Sequence, residues 1–557
     1  MGMLPAGCEM ENYQNNARRT KLILVCGVLF LSAVTASWTL SEKTLDNHEC
    51  FVSITAREML QSGDWIVPTC NGQPRLQKTP LSYWLVAGLA KITGEVDEFT
   101  ARLPSAIFGV LSVAAILYFV SQWLSFRIAA VSSAVWATSL AYIRESHNAK
   151  PEIALTFFVT LCFLTFYSAV NEKNRRKQVV YMLIFWVSFG LGMLAKGPAP
   201  LPLVLVPLFF YIAIFRQWKK IAKLLPVIGT IIFLAIVLPW PLAIAHRVNW
   251  DLVVWKHNFV DRFFGSFASG HKPFYYYLPK MFQFIVPWVA FLPMALAAPF
   301  YRVWNKKRPA MQFLWLWFVV GIGFLTLCGG KRQHYIVPLM PAMAILIGIL
   351  LEDMVFTRKA YTAKYARDVL RNHIVVIVAG AIAGVIYIAK TNPQSTTHAV
   401  ILGIATIVLT AAVAVLFAIR RPALGCGATF AGIGVLVMIS YVSFINPLDY
   451  NKYSRKFSRK VSEIVPQSEK LIAYKSASTR FIHYFGRRVP KVQTKSEVNK
   501  LYSNGCWVVA FGRYLNELLD NERFEIVYMQ ENAERHGQDV VGGVLLHKLA
   551  PAIRSDS

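Results

Sequence analysis

Long apolar segments recur along most of the chain. Each approaches the length of about twenty residues that an α-helix needs to cross the hydrocarbon core of a bilayer. They lie near residues 22–40, 101–123, 126–143, 152–170, 178–195, 199–215, 223–245, 276–299, 311–329, 335–352, 373–390, 398–418 and 426–445. The pattern predicts a polytopic α-helical membrane protein with about thirteen transmembrane helices.

Two parts of the chain depart from this pattern. Residues 41–100 form a long loop, in which SITAREMLQSGDW predicts a helix at the membrane interface. The second half of PRLQKTPLSYWLVAGLAKITG predicts another interfacial segment or a re-entrant one. From residue 447, short β-type runs (KLIAY, CWVVAF, FEIVYM and VVGGVLLHKL) alternate with polar, helix-like stretches. We therefore expect a transmembrane domain over residues 1–446 and a small soluble α/β domain over residues 447–557. A second large outer loop, 246–275, is rich in charged and aromatic residues.

The charge balance is strongly basic, with a formal net charge of +28. In a soluble chain this excess would favour nucleic acid as a partner. Here 55% of the residues are hydrophobic and only 16% are charged, so we interpret Lys and Arg as markers of cytoplasmic loops that meet anionic lipids. With the N-terminus in the cytoplasm, thirteen spans place the C-terminal domain outside and every basic cluster inside. These clusters lie at 173–177, 216–223, 302–308, 354–371 and 420–421.

Ionisable residues also gather on the predicted outer side, where the rule of positive cytoplasmic loops expects few cations. They are Asp46, His48, Glu49, Arg57, Glu58, Lys78, Arg144, His147, Lys150, Glu152, Lys196, Lys256, His257, Asp261, Arg262, Lys331, Arg332, His334 and Tyr335. Cations suit a phosphate leaving group, and a carboxylate or His suits a base for an acceptor hydroxyl. The same residue types also fit an anion transporter. Taken singly, Lys196 could extend to the interface, and Arg57–Glu58 could be a solvated helix face.

Several of these stretches resemble a known family. The similarity is to membrane glycosyltransferases with the GT-C fold, specifically the protein O-mannosyltransferases and the bacterial aminoarabinose–lipid A transferases. It covers roughly residues 20–352. The matching stretches are NHECFVSITAREMLQSGDWIVP, PRLQKTPLSYW, FGLGMLAKGP, HNFVDRFFG, HKPFYYYLP and GGKRQHYIVPLMPAMAIL, the last with Val337 where the family motif has Leu.

The resemblance implies a group of residues that bind the donor. Lys78, Arg262 and Tyr335 would hold the phosphate of a polyprenyl-phosphate sugar. Lys196 and Lys331 would lie close by. We add Arg57 to the candidate donor-binding residues.

The resemblance also implies where the catalytic base lies. Glu49 falls on the second position of the family's Asp-Glu pair, and His48 stands at the first, where the family usually has the catalytic carboxylate. Glu49, Asp46 and His48 therefore all remain candidates, and we favour Glu49. Glu152 stands where relatives have an Asp that helps to shape the site.

These observations predict an integral-membrane, inverting glycosyltransferase at the outer face of the bacterial cytoplasmic membrane. The acceptor would be a hydroxyl or phosphate group of a glycolipid similar to lipid A, or alternatively the Ser and Thr residues of a protein. The alternatives are a transporter or flippase for an anionic lipid and an inactive relative that binds lipid. We expect that no cofactor is required. A divalent metal stays open, because Gln77 stands where relatives often have the Glu that is suggested as a metal ligand. The resemblance implies a monomer. Cys50 and Cys70 share the first loop and could form a disulfide.

Overall fold

The chain is predominantly helical. The computed structural model describes residues 6–248, 272–357, 363–449, 451–501, 507–512, 514, 517–518, 524–530 and 542–548. Arg262 and most of the loop 246–275 lie outside these residues. The α-helices are Ala6–Ser37, Asn47–Ser62, Leu81–Thr93, Glu98–Trp123, Phe126–Ala137, Leu140–Ser146, Glu152–Asn171, Arg175–Lys196, Pro200–Ile214, Pro226–Val237, Pro239–Arg247, Tyr277–Phe284, Leu292–Ala297, Arg308–Leu327, Met340–Glu352, Ala363–Thr391, Thr396–Ala418, Pro422–Leu448, Lys452–Ile464, Thr479–Phe485 and Lys495–Leu501.

Within the described residues, ten helices are long and apolar enough to span a membrane. They are Arg18–Ser37, Glu98–Trp123, Glu152–Asn171, Arg175–Lys196, Pro226–Arg247, Arg308–Leu327, Gln333–Thr357, Asp368–Thr391, Pro393–Ala418 and Pro422–Phe444. The expectation of a polytopic helical membrane protein is confirmed.

The count of thirteen is higher than the structure supports by length alone. The expected span 126–143 is two helices bent by 59° at residues 138–139, which brings the count to eleven if the pair is one span. Ser139 caps the second helix by accepting a hydrogen bond from the Tyr142 backbone N–H. This cap favours the start of a new helix at Leu140. The two remaining segments are the shorter apolar helices Pro200–Ile214 and Trp288–Phe300.

The chain divides into two compact units. The first comprises residues 1–39, 77–82 and 102–444, and the second comprises residues 40–76, 83–101 and 445–557. The second unit thus combines most of the first loop with the C-terminal residues. The hydrophobic pattern did not predict that combination.

The centre of the first unit is a tightly packed group of apolar helices. Most of Glu152–Asn171 and of Gln333–Thr357 is buried by neighbouring helices. Phe163 and Trp317 stack there with their ring centroids 4.3 Å apart. Gly348 lies so close to the helix Phe126–Ala137 that an added Cβ would come within 2.5 Å of the Ser132 Cα. A small residue at this position allows the two helices to approach as closely as they do.

The second unit is built on a five-stranded sheet. Its strand order is Lys491–Val492, Leu471–Tyr474, Trp507–Phe511, Gly543–Lys548 and Phe524–Met529. The first two pairings are parallel and the last two are antiparallel. The four β-type runs of the sequence therefore form strands as expected, and the two-residue strand Lys491–Val492 is an addition.

Hydrogen bonds join the first loop to the C-terminal residues within this unit. The Thr44 backbone N–H donates to Asp449 Oδ2 at 2.9 Å, and the Asn71 side chain exchanges two hydrogen bonds with the Val489 backbone at 2.8 Å each. The Tyr484 hydroxyl donates to Glu98 Oε1 at 2.9 Å. Buried polar groups are satisfied across about four hundred positions of sequence, which explains why these segments form one unit.

Candidate active site

Two helix ends place opposite charges side by side in the first unit. Glu152 is the first residue of the helix Glu152–Asn171, and Lys196 is the last residue of Arg175–Lys196. A carboxylate at a helix N-terminus and an ammonium at a C-terminus are both stabilised by the helix dipole. The antiparallel packing of the two helices therefore brings a favourably placed pair together.

The pair is an ion pair that is largely excluded from solvent. Lys196 Nζ lies 3.0 Å from Glu152 Oε1, with side-chain exposures of 12% and 8%. His334 Nε2 lies 3.4 Å from the same oxygen. Glu152 Oε2 is buried and has no hydrogen-bond partner among the described residues. A buried acceptor without a partner is uncommon, and it can accept a hydrogen bond from a bound molecule.

Tyr335 completes this arrangement, which we call the Glu152 cluster (Glu152, Lys196, His334 and Tyr335). The Lys196 ammonium lies 5.3 Å from the centre of the Tyr335 ring, within cation–π range. His334 packs edge-on against the same ring at 5.0 Å. Both residues belong to the 3₁₀ helix Gln333–Leu339, so one turn holds both against the ion pair.

Lys78 is tied to the Glu152 cluster through its neighbour. The Gly197 backbone N–H donates to Thr79 Oγ1 at 3.2 Å, directly after Lys196. Gly197 has φ 61° and ψ −147°, a conformation that is essentially restricted to glycine. The LAKGP stretch therefore needs its glycine to turn the chain. That turn fixes the segment that carries Lys78, whose side chain is half-buried.

The first-loop carboxylates lie in the second unit and form a helix cap. Asp46 is the N-cap of the helix Asn47–Ser62, where its side chain accepts from the backbone N–H groups of His48 and Glu49. Glu49 Oε2 accepts from the Asp46 backbone N–H at 2.9 Å. This reciprocal pair is a capping box. Asp46 and Glu49 therefore stabilise the start of this helix. Glu49 is buried and His48 is exposed.

Arg57 and Glu58 lie on the same helix, and the expectation that they form a solvated face is wrong. Arg57 donates to the carbonyls of His483 at 2.8 Å and Ile482 at 3.3 Å, and burial lowers the pKa of its guanidinium. Glu58 is only 2% exposed and accepts hydrogen bonds from the Thr69 hydroxyl and the Gly72 backbone N–H. The helix packs one face against other residues of the second unit, among them Tyr83, Val86 and Ala87.

His147, a member of the predicted ionisable group, has a structural role, and the two cysteines of the first loop are not joined to each other. The two ring nitrogens of His147 lie 2.8 and 3.0 Å from the carbonyl oxygens of Ile143 and Trp38, and the ring stacks on Tyr441. Cys50 and Cys70 are both thiols, so the possible disulfide does not form. Burial raises the pKa of the Cys70 thiol to about 11, which keeps it protonated and unreactive at neutral pH.

Three polar residues in or beside the candidate site were not predicted as site residues from the sequence. His334 was recognised as ionisable but not assigned to the site, although it contacts Glu152. Thr79 was overlooked beside Lys78. Glu145, a buried carboxylate 3.4 Å from Arg144 Nε, was also overlooked, although it lies in the RESHNAKPE stretch. Each of the three lies in or beside a motif, so their polar side chains could have indicated that they belong near the site.

Comparison with known proteins identifies the architecture. A crystal structure of ArnT from Cupriavidus metallidurans bound to undecaprenyl phosphate matches with a TM-score of 0.81, covering 95% of this chain and 98% of that chain at 17% identity. The chain has the GT-C fold. The expected resemblance is thereby confirmed at the level of architecture.

Sequence comparison finds similarity to the two groups of enzymes that the motifs indicated. Residues 77–242 match the family model of dolichyl-phosphate-mannose-protein mannosyltransferases. The undecaprenyl phosphate-alpha-4-amino-4-deoxy-L-arabinose arabinosyl transferase of Pseudomonas aeruginosa is 27% identical over 315 residues, which are 55% of this chain and 56% of that protein. A second such enzyme, transferase 1 of Pseudomonas fluorescens, is 27% identical over 416 residues, or 72% of both chains. The first alignment thus spans little more than half of the relative's length.

Proposed function

We propose that the chain is an integral-membrane, inverting glycosyltransferase that moves a sugar from a polyprenyl phosphate to an acceptor. The observation that carries the proposal is the Glu152 cluster, in which a largely solvent-excluded Lys196 ammonium lies at the end of a membrane-spanning helix. The relatives named for undecaprenyl phosphate aminoarabinose support a donor of that class. They also favour a glycolipid similar to lipid A as the acceptor, with protein Ser and Thr as the alternative.

Lys196 is proposed to hold the lipid phosphate, together with Lys78, Lys331, Tyr335 and Arg262. When the bond between the sugar C1 and the phosphate oxygen breaks, negative charge grows on the phosphate. Ammonium groups that are already in place stabilise this charge without reorganising solvent. Arg262 lies outside the described residues, so its role rests on the sequence resemblance alone.

Glu152 is proposed as a positioning residue. One carboxylate oxygen fixes Lys196 at 3.0 Å, and the second, which lacks a partner among the described residues, suits a hydrogen bond from a donor hydroxyl. A carboxylate in a direct ion pair with Lys196 is a poor proton acceptor, since the ammonium favours its charged form. Another group is needed as the base.

Glu49 is proposed as the base that accepts the proton of the acceptor hydroxyl, with Asp46 and His48 as the alternatives. The acceptor oxygen would then attack C1 on the face opposite to the phosphate, with inversion, through an oxocarbenium-like transition state. The capping box fixes the orientation of the Glu49 carboxylate through the hydrogen bond from the Asp46 backbone N–H to Oε2.

Lys78→Ala is expected to lower transfer activity by about a hundredfold, the usual effect of losing one group that stabilises charge in the transition state. Donor binding should weaken at the same time, because the phosphate is also present in the ground state. Transfer from a radiolabelled undecaprenyl-phosphate sugar by purified protein measures both effects. Lys91→Ala is the matched control, since Lys91 is exposed in the next helix. Equal activity of Lys78→Ala and Lys91→Ala would exclude Lys78 from the donor site.

A transporter or flippase for an anionic lipid remains the alternative from another class. The ion pair of the Glu152 cluster lies at helix ends, whereas transporters typically place coupling groups near the middle of the membrane. Release of free undecaprenyl phosphate with a new glycosidic bond would support the transferase. Movement of intact donor across vesicles without sugar transfer would support the transporter.

The chain is proposed to lie in the bacterial cytoplasmic membrane with its N-terminus in the cytoplasm and its C-terminal residues outside. A cysteine at Ser468, in an exposed turn of the second unit, is expected to react with an impermeant maleimide on intact cells. A cysteine at Lys173, in the turn between two spans, should react only after lysis. The reverse labelling pattern would overturn the orientation.

The reaction is proposed to need no metal and no cofactor, and the protein to act as a monomer. Within the described part of the chain, no group of three or more His, Cys, Asp and Glu side chains is arranged to hold a metal ion. Activity is expected to persist in excess EDTA. Complete loss in EDTA with recovery on adding one divalent metal would contradict this prediction.

A further inference from the structure

A cavity lined by charged, polar and apolar residues lies at the opposite end of the first unit from the Glu152 cluster. It has a volume of about 970 Å³, and its lining includes Lys21, Arg127 and Lys306. Trp123, which also lines it, donates to Ser168 Oγ at 2.7 Å. Ser168 is in the last turn of the helix that begins at Glu152. Twenty helical residues span about 30 Å, so the cavity is separate from the candidate donor site.

Two buried carboxylates form the inner wall of this cavity. Glu352 and Asp353 are 4% and 3% exposed, and they lie where the helix Met340–Glu352 passes into one turn of π-helix. Such turns often occur at functional sites. Lys307 Nζ lies 3.6 Å from Glu352 Oε2 and 3.2 Å from Asp353 Oδ1.

The remaining carboxylate oxygens also have donors. Thr357 donates to Glu352 Oε1 at 3.0 Å, and Trp304 Nε1 donates to Asp353 Oδ2 at 3.0 Å. Arg127 lies 3.7 Å from Glu352 Oε1, with its side chain 58% exposed. The two acids are therefore satisfied by groups of the protein and need no further cation.

The charge that remains in the cavity is positive. Four cationic side chains line it, namely Lys21, Arg127, Lys306 and Lys307, against the two carboxylates. The surplus of two positive charges attracts an anion. Thr20 and Ser125 line the same space with hydroxyl groups, and Leu24 and Phe126 with apolar groups. An anion with an adjoining apolar part fits this mixture.

We propose that this cavity binds a phosphate-bearing anion between Lys21, Arg127 and Lys306. The phosphodiester headgroup of an anionic membrane lipid and a soluble phosphate ester share this chemistry. The cavity lies at the ends of the spans Arg18–Ser37 and Glu98–Trp123, where lipid headgroups are found. On the proposed topology this end faces the cytoplasm, whose leaflet is rich in anionic lipid.

The test uses the full-length protein in detergent, titrated with dihexanoyl phosphatidylglycerol, dihexanoyl phosphatidylcholine and glycerol 1-phosphate. The double variant Lys21→Gln/Lys306→Gln removes two cations and leaves the carboxylate contacts intact. It should bind phosphatidylglycerol at least about tenfold more weakly than wild type, as expected for losing hydrogen bonds to a charged group. Lys173→Gln/Lys219→Gln, two exposed cations at the same end of the helices, is the matched control and should bind like wild type.

The outcomes separate the two sources of the anion. Tighter binding of phosphatidylglycerol than of glycerol 1-phosphate supports a lipid ligand, and equal binding of the two supports a soluble phosphate ester. Equal binding of phosphatidylcholine and phosphatidylglycerol would overturn the proposal, because the zwitterionic lipid carries no net charge. Unchanged affinity in the Lys21→Gln/Lys306→Gln variant would overturn it as well.

Discussion

Lys196→Met is expected to reduce sugar transfer by about a hundredfold to a thousandfold, the range found for losing one preorganised group that stabilises transition-state charge. The side chain keeps a similar length but loses the ammonium that lies 3.0 Å from Glu152. The substitution should also lower stability by about 3–5 kcal/mol, because it leaves a buried carboxylate without its principal partner. Steady-state transfer assays and thermal unfolding of the purified protein measure the two effects.

The double variant Glu152→Gln/Lys196→Met separates catalysis from folding. Removing both charges abolishes the imbalance, so the unfolding temperature should return towards that of wild type. Activity should stay as low as in Lys196→Met if the ammonium stabilises the phosphate. Recovery of activity together with stability would mean that Lys196 serves only to neutralise Glu152.

Glu49→Gln is expected to lower turnover by about a hundredfold to ten-thousandfold with little change in stability. A Gln carbonyl oxygen can accept the same hydrogen bond from the Asp46 backbone N–H that Glu49 Oε2 accepts at 2.9 Å. The capping box therefore survives while the proton acceptor is lost. General-base catalysis contributes about a hundredfold to ten-thousandfold, and transfer rates under saturating donor give the measurement.

Two companion variants identify the base within the first loop. Asp46→Asn keeps an N-cap side chain, and His48→Ala changes an exposed residue. Both should retain most of the activity if Glu49 is the base. Loss in His48→Ala with full activity in Glu49→Gln would assign the base to His48 instead.

The membrane architecture could be predicted from sequence because a helix needs about twenty apolar residues to cross a bilayer, and such segments are visible in the sequence. Residues 152–170 and 335–352 were expected as spans, and the structure has the helices Glu152–Asn171 and Met340–Glu352 there. Kinks were not predictable in the same way. The bend at residues 138–139 depends on a local Ser139 cap inside an otherwise apolar run.

Motif positions predicted part of the candidate site. Lys196 and Glu152 stand at helix ends that the apolar pattern delimits, and the structure pairs them directly. The roles of Arg57 and Glu58 could not be read from periodicity, because their partners lie far away in sequence or in an irregular loop. The union of the first loop with the C-terminal residues depends on long-range hydrogen bonds such as Thr44 to Asp449.

Sugar transfer itself tests the central claim most directly. Purified wild-type protein, given radiolabelled undecaprenyl-phosphate aminoarabinose and a lipid A acceptor, should release undecaprenyl phosphate and form labelled glycolipid. Lys196→Met should do so about a hundredfold to a thousandfold more slowly. Donor binding without any transfer to lipid A or to Ser- and Thr-containing peptides, across a panel of donor sugars, would contradict the account and leave a lipid-binding or lipid-transport protein.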